Sequence, residues 1–135
     1  MQCDREKLVY KTVQLFFNDR QNIDIVLPIV SGRDKISLRL IDWFITNYSK
    51  VHATQYMVKN SNTPFKQFIV YLDYKAQLKS FSKKLFDPFC RRNRIIFNYD
   101  EKDTTKSFCT TVGQLNFFKW AIQNKIIEYM RQNIT

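Results

Sequence analysis

Between positions 75 and 94 the chain carries Lys75, Lys79, Lys83, Lys84, Arg91, Arg92 and Arg94 against a lone acid, Asp87. That is seven basic groups to one, a net +6, out of chain totals of 22 basic and 12 acidic residues; the remaining 15 and 11 give only +4. Residues of these types suit one chemistry, the binding of an anion. Lysine is a compact point charge for phosphate, and arginine is a planar fork that can bond a phosphate or a base edge through two parallel N–H groups. On a helical wheel Lys75, Lys79 and Lys83 form one ridge, with Ser80 and Lys84 farther round the exposed side. An ordinary solvated helix face is the competing reading of the same charges. The aromatic residues Tyr74, Phe81, Phe86 and Phe89 interleave with them. They could stack on unpaired bases, although their three- and four-residue spacing fits core packing better.

Other chemistries find little support. Cys3, Cys90, Cys109 and His52 make a formal three-cysteine, one-histidine set, but none are paired closely as structural zinc requires, so no metal is expected. Acid–base or triad catalysis would rest on His52 alone. With two glycines in the chain, there is no phosphate-cradling loop and no dinucleotide motif. Asp100, Glu101 and Asp103 cluster where a turn is expected, and carboxylates favour turns for their own reasons. The chain is therefore read as non-enzymatic, with no cofactor. The scattered cysteines suit reduced thiols in a cytosolic compartment, with Cys90 and Cys109 buried and unpaired.

The whole chain of 135 residues has a net charge of +10, which points to a polyanionic partner, usually nucleic acid and less often an anionic membrane or an acidic protein; of the nucleic acids, DNA is expected ahead of RNA. Hydrophobic residues at 44% and aromatics at 16% are enough for a folded core. The first twenty residues lack the apolar region of a signal peptide, and no run nears the roughly 18 apolar residues of a membrane span. Asn47 and Asn133 head glycosylation sequons that match by chance if the chain is not secreted. Neither repeats nor linkers divide the chain, so residues 1–135 are taken as a single domain; its oligomeric state is left open.

The elements that must position the basic residues read as an α+β fold, three main helices near 38–49, 74–86 and 112–131 packed on antiparallel strands. Residues 8–17 and 23–29 lean toward a strand hairpin, the second alternating through Ile23, Ile25, Leu27 and Ile29. Ser37 is a good cap for the first main helix, and Trp43 and Trp120 are read as core residues. A strand is expected over 65–72, after which Asp73 could cap the basic helix and Pro88 stop it. Residues 94–99 and 106–111 read as a hairpin, with Ile95, Phe97 and Tyr99 on one face. Thr111 to Gln114 form a capping box that opens the last helix. In this arrangement a basic helix leads into a hairpin with arginines at its base.

Three segments, Ser37–Ser49, Tyr74–Asn93 and Thr110–Gln123, together resemble a family of small basic proteins of large nucleocytoplasmic DNA viruses of the mimivirus kind. Lys, Asn, Ile and Phe contribute 14, 10, 13 and 12 residues, as an AT-rich coding sequence would give. The resemblance implies a compartment, the host cytoplasm or viral factory and in some cases the virion, and transfers no catalytic residues. Two roles follow as expectations. One is a non-catalytic nucleic-acid-binding protein that uses residues 75–94. The other is a virion structural protein, minor capsid or internal, that docks its basic face on acidic partners.

Overall fold

A computed structural model of the chain describes residues 4–60 and 63–134. The strand hairpin expected near the start is instead a pair of helices, α1 (Asp4–Phe16) and α2 (Arg20–Val30). The buried residues explain why. Val9, Val13 and Phe17 fall four apart, and Ile23, Val26 and Ile29 three apart, whereas Ile25 and Leu27 are only half-buried. In so apolar a stretch a period of two and a period of 3.6 both find matches. Local polar chemistry decides between them: the Asp19 carboxylate caps α2 by accepting the Gln21 N–H at 2.9 Å. The Asn22 side chain ties the turn back by donating to the Phe16 carbonyl at 2.9 Å.

Helix α3 (Leu38–Trp43) starts where expected, with Ser37 Oγ accepting the Leu40 N–H at 3.0 Å. It runs on through a π-helical stretch, Phe44–Tyr48, into α4 (Ser49–His52), and stops at Ala53, whose φ of 48° leaves the helical region. Ile41, Phe44 and Ile45 face the core, but Trp43 does not: it is 43% exposed and rests on Tyr48. A hairpin not anticipated in full follows. Strand β1 (Gln55–Asn60) pairs antiparallel with β2 (Thr63–Ile69). Tyr56 anchors it, stacking on Tyr129 with 4.8 Å between ring centres and donating its hydroxyl to the Asn124 carbonyl at 2.6 Å.

Helix α5 (Val70–Leu85) carries the lysines and begins at Val70, so residues 70–72 are helical rather than strand. Asp73 lies inside it and is no cap; its carboxylate accepts the Trp120 indole N–H at 2.7 Å. The second hairpin is as expected: β3 (Ile95–Asn98) pairs antiparallel with β4 (Ser107–Thr110). Its turn is built by Asp100 and Asp103, whose carboxylates accept the Lys102 and Thr105 N–H groups at 3.0 Å each.

Helix α6 (Val112–Gln123) is the central element, buried nearly all round and in contact with α1, α5 and the last helix, α7 (Ile126–Asn133). The single helix expected over 112–131 is divided because Lys125 adopts a left-handed φ of 58°. Large rings fill the core around α6, among them Phe86, Phe117 and Trp120. Among the described residues the fold is thus mixed helix and strand, six helices if α3 and α4 count as one rod, with two antiparallel hairpins. Among the described residues no helix is long and apolar enough to cross a membrane.

Candidate functional site

Helix α5 ends at Leu85, and the loop from Phe86 to Arg94 that follows is fastened over the start of α6. The Asn116 side chain donates to the Leu85 carbonyl at 2.7 Å, and Gln114 Nε2 donates to the Pro88 carbonyl at 2.9 Å. The Asp87 N–H donates to the Gly113 carbonyl at 3.3 Å. Thr111 Oγ1 caps α6 by accepting the Gln114 N–H at 3.1 Å, but the other half of the expected capping box is absent: Gln114 Oε1 accepts from Thr110 Oγ1 at 2.5 Å instead of from the Thr111 N–H. Within the loop the Asp87 carboxylate accepts the Phe89 N–H at 2.9 Å, and Asn93 takes a left-handed φ of 58°, tolerable for asparagine.

This scaffold draws five of the seven basic residues together. A cavity of about 620 Å³ is lined by Lys83, Lys84, Arg91 and Arg92 along with Val112 and Gly113 at the start of α6. A second, of about 330 Å³, adjoins it, shares Phe89, Cys90, Arg91 and Thr111, and adds Arg94. All five cations are exposed, and among the described residues none of them makes an ion pair. Two carboxylates, Glu6 and Asp87, also line the larger cavity, which leaves the combined walls at five positive to two negative. The amino end of a twelve-residue helix adds further positive potential.

Lys75 and Lys79 are exposed but line neither cavity. The expected ridge of Lys75, Lys79 and Lys83 breaks at Ser82, whose φ of 63° and ψ of 169° are not helical. Past that kink the helical wheel no longer applies, and Lys83 and Lys84 turn to the loop. Nearby, burial and then the Asp87 carboxylate push the Asp42 carboxyl up from its ordinary value, while Lys83 pulls it down. Tyr74 is likewise pushed up, first by burial, then by Asp42 and Asp87. Lys83 is thus partly offset by acidic neighbours.

The four interleaved aromatics separate. Phe86 is buried, Tyr74 and Phe81 pack against the core, and Phe89 is 46% exposed on the wall common to both cavities. The thiols differ from expectation as well. Cys109 is exposed because it pairs across the hairpin with Ile96 on the outward face, and Cys90 is half-buried at the cavities; both are free. Cys3 lies outside the described residues. His52 lies tilted against Tyr48 with 4.1 Å between ring centres, and among the described residues no three His, Cys, Asp or Glu side chains converge to hold a metal. Sequence reasoning missed the part played by Thr111, Val112 and Gly113, which only the packing of α6 against the loop brings to the cations.

A profile described as a family of unknown function, DUF7197, matches residues 1–135. The chain is 39% identical over 130 residues to the uncharacterized protein L507 of Acanthamoeba polyphaga mimivirus. That alignment covers 95% of this chain and 50% of the relative, so the chain spans about half the relative's length. No solved structure matches the chain. The resemblance to proteins of mimivirus-like viruses read from residues 37–49, 74–93 and 110–123 is borne out by this homologue.

Proposed function

We propose that the chain, which belongs to the family of unknown function DUF7197, is a non-catalytic viral protein that binds nucleic acid at the cavities around Arg91. The observation that carries this reading is the convergence of Lys83, Lys84, Arg91, Arg92 and Arg94, without ion-pair partners among the described residues, on one fastened loop and helix start. Like charges held together repel, and a bound polyanion relieves that repulsion. Phosphates neutralised by such a cluster release their counterions, which drives association at low salt. DNA is the polyanion we expect, and the host cytoplasm or viral factory the place, on the strength of the resemblance to proteins of large nucleocytoplasmic DNA viruses.

A gel-shift assay with the purified chain tests the proposal. The wild type should retard DNA at low salt. A variant combining Lys83→Gln, Lys84→Gln, Arg91→Gln and Arg92→Gln should lose most of that binding, and a control combining Lys11→Gln, Lys35→Gln and Lys125→Gln should keep it. Failure of the wild type to bind DNA or RNA, with the protein recovered in the shells of purified particles, would replace this reading with docking on acidic capsid components.

A further inference from the structure

We propose that the cavities select an unpaired strand, with a base stacked on Phe89 and the flanking phosphates held by Lys83, Lys84 and Arg92 on one side and Arg94 on the other. This rests on the nucleic-acid reading above and names the form of nucleic acid the site takes. Phe89 is the aromatic residue of the basic segment that the core does not use: Phe86 is buried, and Tyr74 and Phe81 are packed against core neighbours. It stays outward for a structural reason. Its N–H is bonded to the Asp87 carboxylate at 2.9 Å, the Cys90 N–H bonds the Asp87 carbonyl at 3.3 Å, and the preceding Pro88 carbonyl accepts from Gln114. The ring is therefore presented in a fixed place at little further cost in order on binding.

Its surroundings match a strand and not a duplex. Phe89 forms the wall between two adjoining hollows of about 620 and 330 Å³, each within or near the range of small-ligand sites. A duplex keeps its base faces stacked inside and offers a surface only its phosphates and groove edges, which need no apolar wall and enter no hollow. An unpaired nucleotide offers a flat π-face for the ring and a phosphate on each side of it for the cations. Arg91 borders both hollows, and its guanidinium plane can cover the second face of the same base.

Fluorescence anisotropy with a labelled oligothymidylate, and with a duplex containing the same strand, tests this on the full chain. The wild type should prefer the single strand. Phe89→Ala should weaken single-strand binding by roughly ten- to a hundredfold, the range for a lost base-stacking ring, and so erase the preference. Phe89→Tyr should restore it, and because the ring is solvent-exposed both variants should melt like the wild type. A preference that survives Phe89→Ala, or a wild type that binds duplex as tightly as strand, overturns the stacking site. The Lys83, Lys84, Arg91 and Arg92 variant separates the two levels of the argument. If it weakens both probes while Phe89→Ala changes neither, stacking fails and nucleic-acid binding stands. If it weakens neither, both fail.

Discussion

Gly113 lies so close to Lys84 that a β-carbon on the glycine would stand 3.1 Å from the Lys84 carbonyl oxygen, with the Phe86 and Asp87 amide nitrogens at 3.5 and 3.6 Å. The missing side chain is what lets the end of α5 rest on the start of α6, and so sets the cations around the cavity. The atoms in the way are backbone, and hydrogen bonds from Asn116 and Gln114 on α6 hold the carbonyls of Leu85, among them, and of Pro88, just past them.

Gly113→Ala therefore tests whether this junction can yield. In a free helix the change would stabilise by about 0.5–1 kcal/mol, because alanine loses less backbone entropy. Here overpacking of about 1–3 kcal/mol should win. Urea denaturation should show a net loss of about 1 kcal/mol, and nucleic-acid affinity should fall in the same variant as the loop shifts. A gain in stability would mean that the loop moves freely.

The outward face of the second hairpin makes Cys109 the accessible thiol of the described pair. A maleimide reagent added to the native chain should modify Cys109 before the half-buried Cys90, read as site occupancy by mass spectrometry of peptides. Equal rates at both would mean that the cavity wall around Cys90 opens readily.

What the sequence made legible was local. Ser37 and Thr111 cap helices because the hydroxyl and the amide it accepts are three residues apart. The hairpin of Ile95 and Thr110 is marked by alternation on both sides of a turn of carboxylates. The concentration of charge was legible too, and its geometry was not. Residues 8–29 offered two apolar periods, and the Asp19 cap and the Asn22 bond to the Phe16 carbonyl, which decide between them, do not show in either period. Left-handed positions at Ser82 and Lys125 went unseen because neither is glycine or asparagine, the usual signs of such a bend. The gathering of the arginines with the start of α6 depends on bonds between residues far apart in the chain, Asn116 to Leu85 and Gln114 to Pro88. No spacing rule anticipates those.

Part of the acid sensitivity should be traceable to the ion pair of Arg131 and Asp34. Arg131 Nη1 donates to Asp34 Oδ1 at 3.0 Å, and Nη2 to the second oxygen, which joins α7 to the turn after α2. The Arg131 hydrogen bond holds the Asp34 carboxyl below its ordinary value of 3.8, aided by the Ile36 N–H, while burial opposes. A carboxyl depressed on folding stabilises above its unfolded value, and that stabilisation disappears as pH falls through the folded one. Asp34→Asn should thus cost up to about 1 kcal/mol at neutral pH, since Arg131 is half in solvent. The gap from wild type should close on acidification below the ordinary carboxylate value. Thermal melts across that range check it, and a gap independent of pH would place the cost elsewhere.

Salt dependence can divide the basic segment into site and surround. If Lys83, Lys84, Arg92 and Arg94 neutralise phosphates while Arg91 covers a base, log affinity against log salt should fall with a slope of about −2.8 on a single strand, from roughly 0.7 per contact. On duplex the same four contacts would give about −3.6. Replacing Lys83 and Lys84 with Gln should flatten the single-strand slope by about 1.4. Lys75 and Lys79 lie up the helix beyond the Ser82 kink and line neither cavity. Their replacement should flatten it by less than half as much and weaken all sequences alike. Neither pair should change stability by more than tenths of a kcal/mol, because exposed helix lysines contribute little. Equal slopes lost from both pairs would mean that charge is spread along α5 and the kink does not bound the site. Equal losses from Lys11, Lys35 and Lys125 as well would leave the +10 charge as a solvated surface with no localised contact.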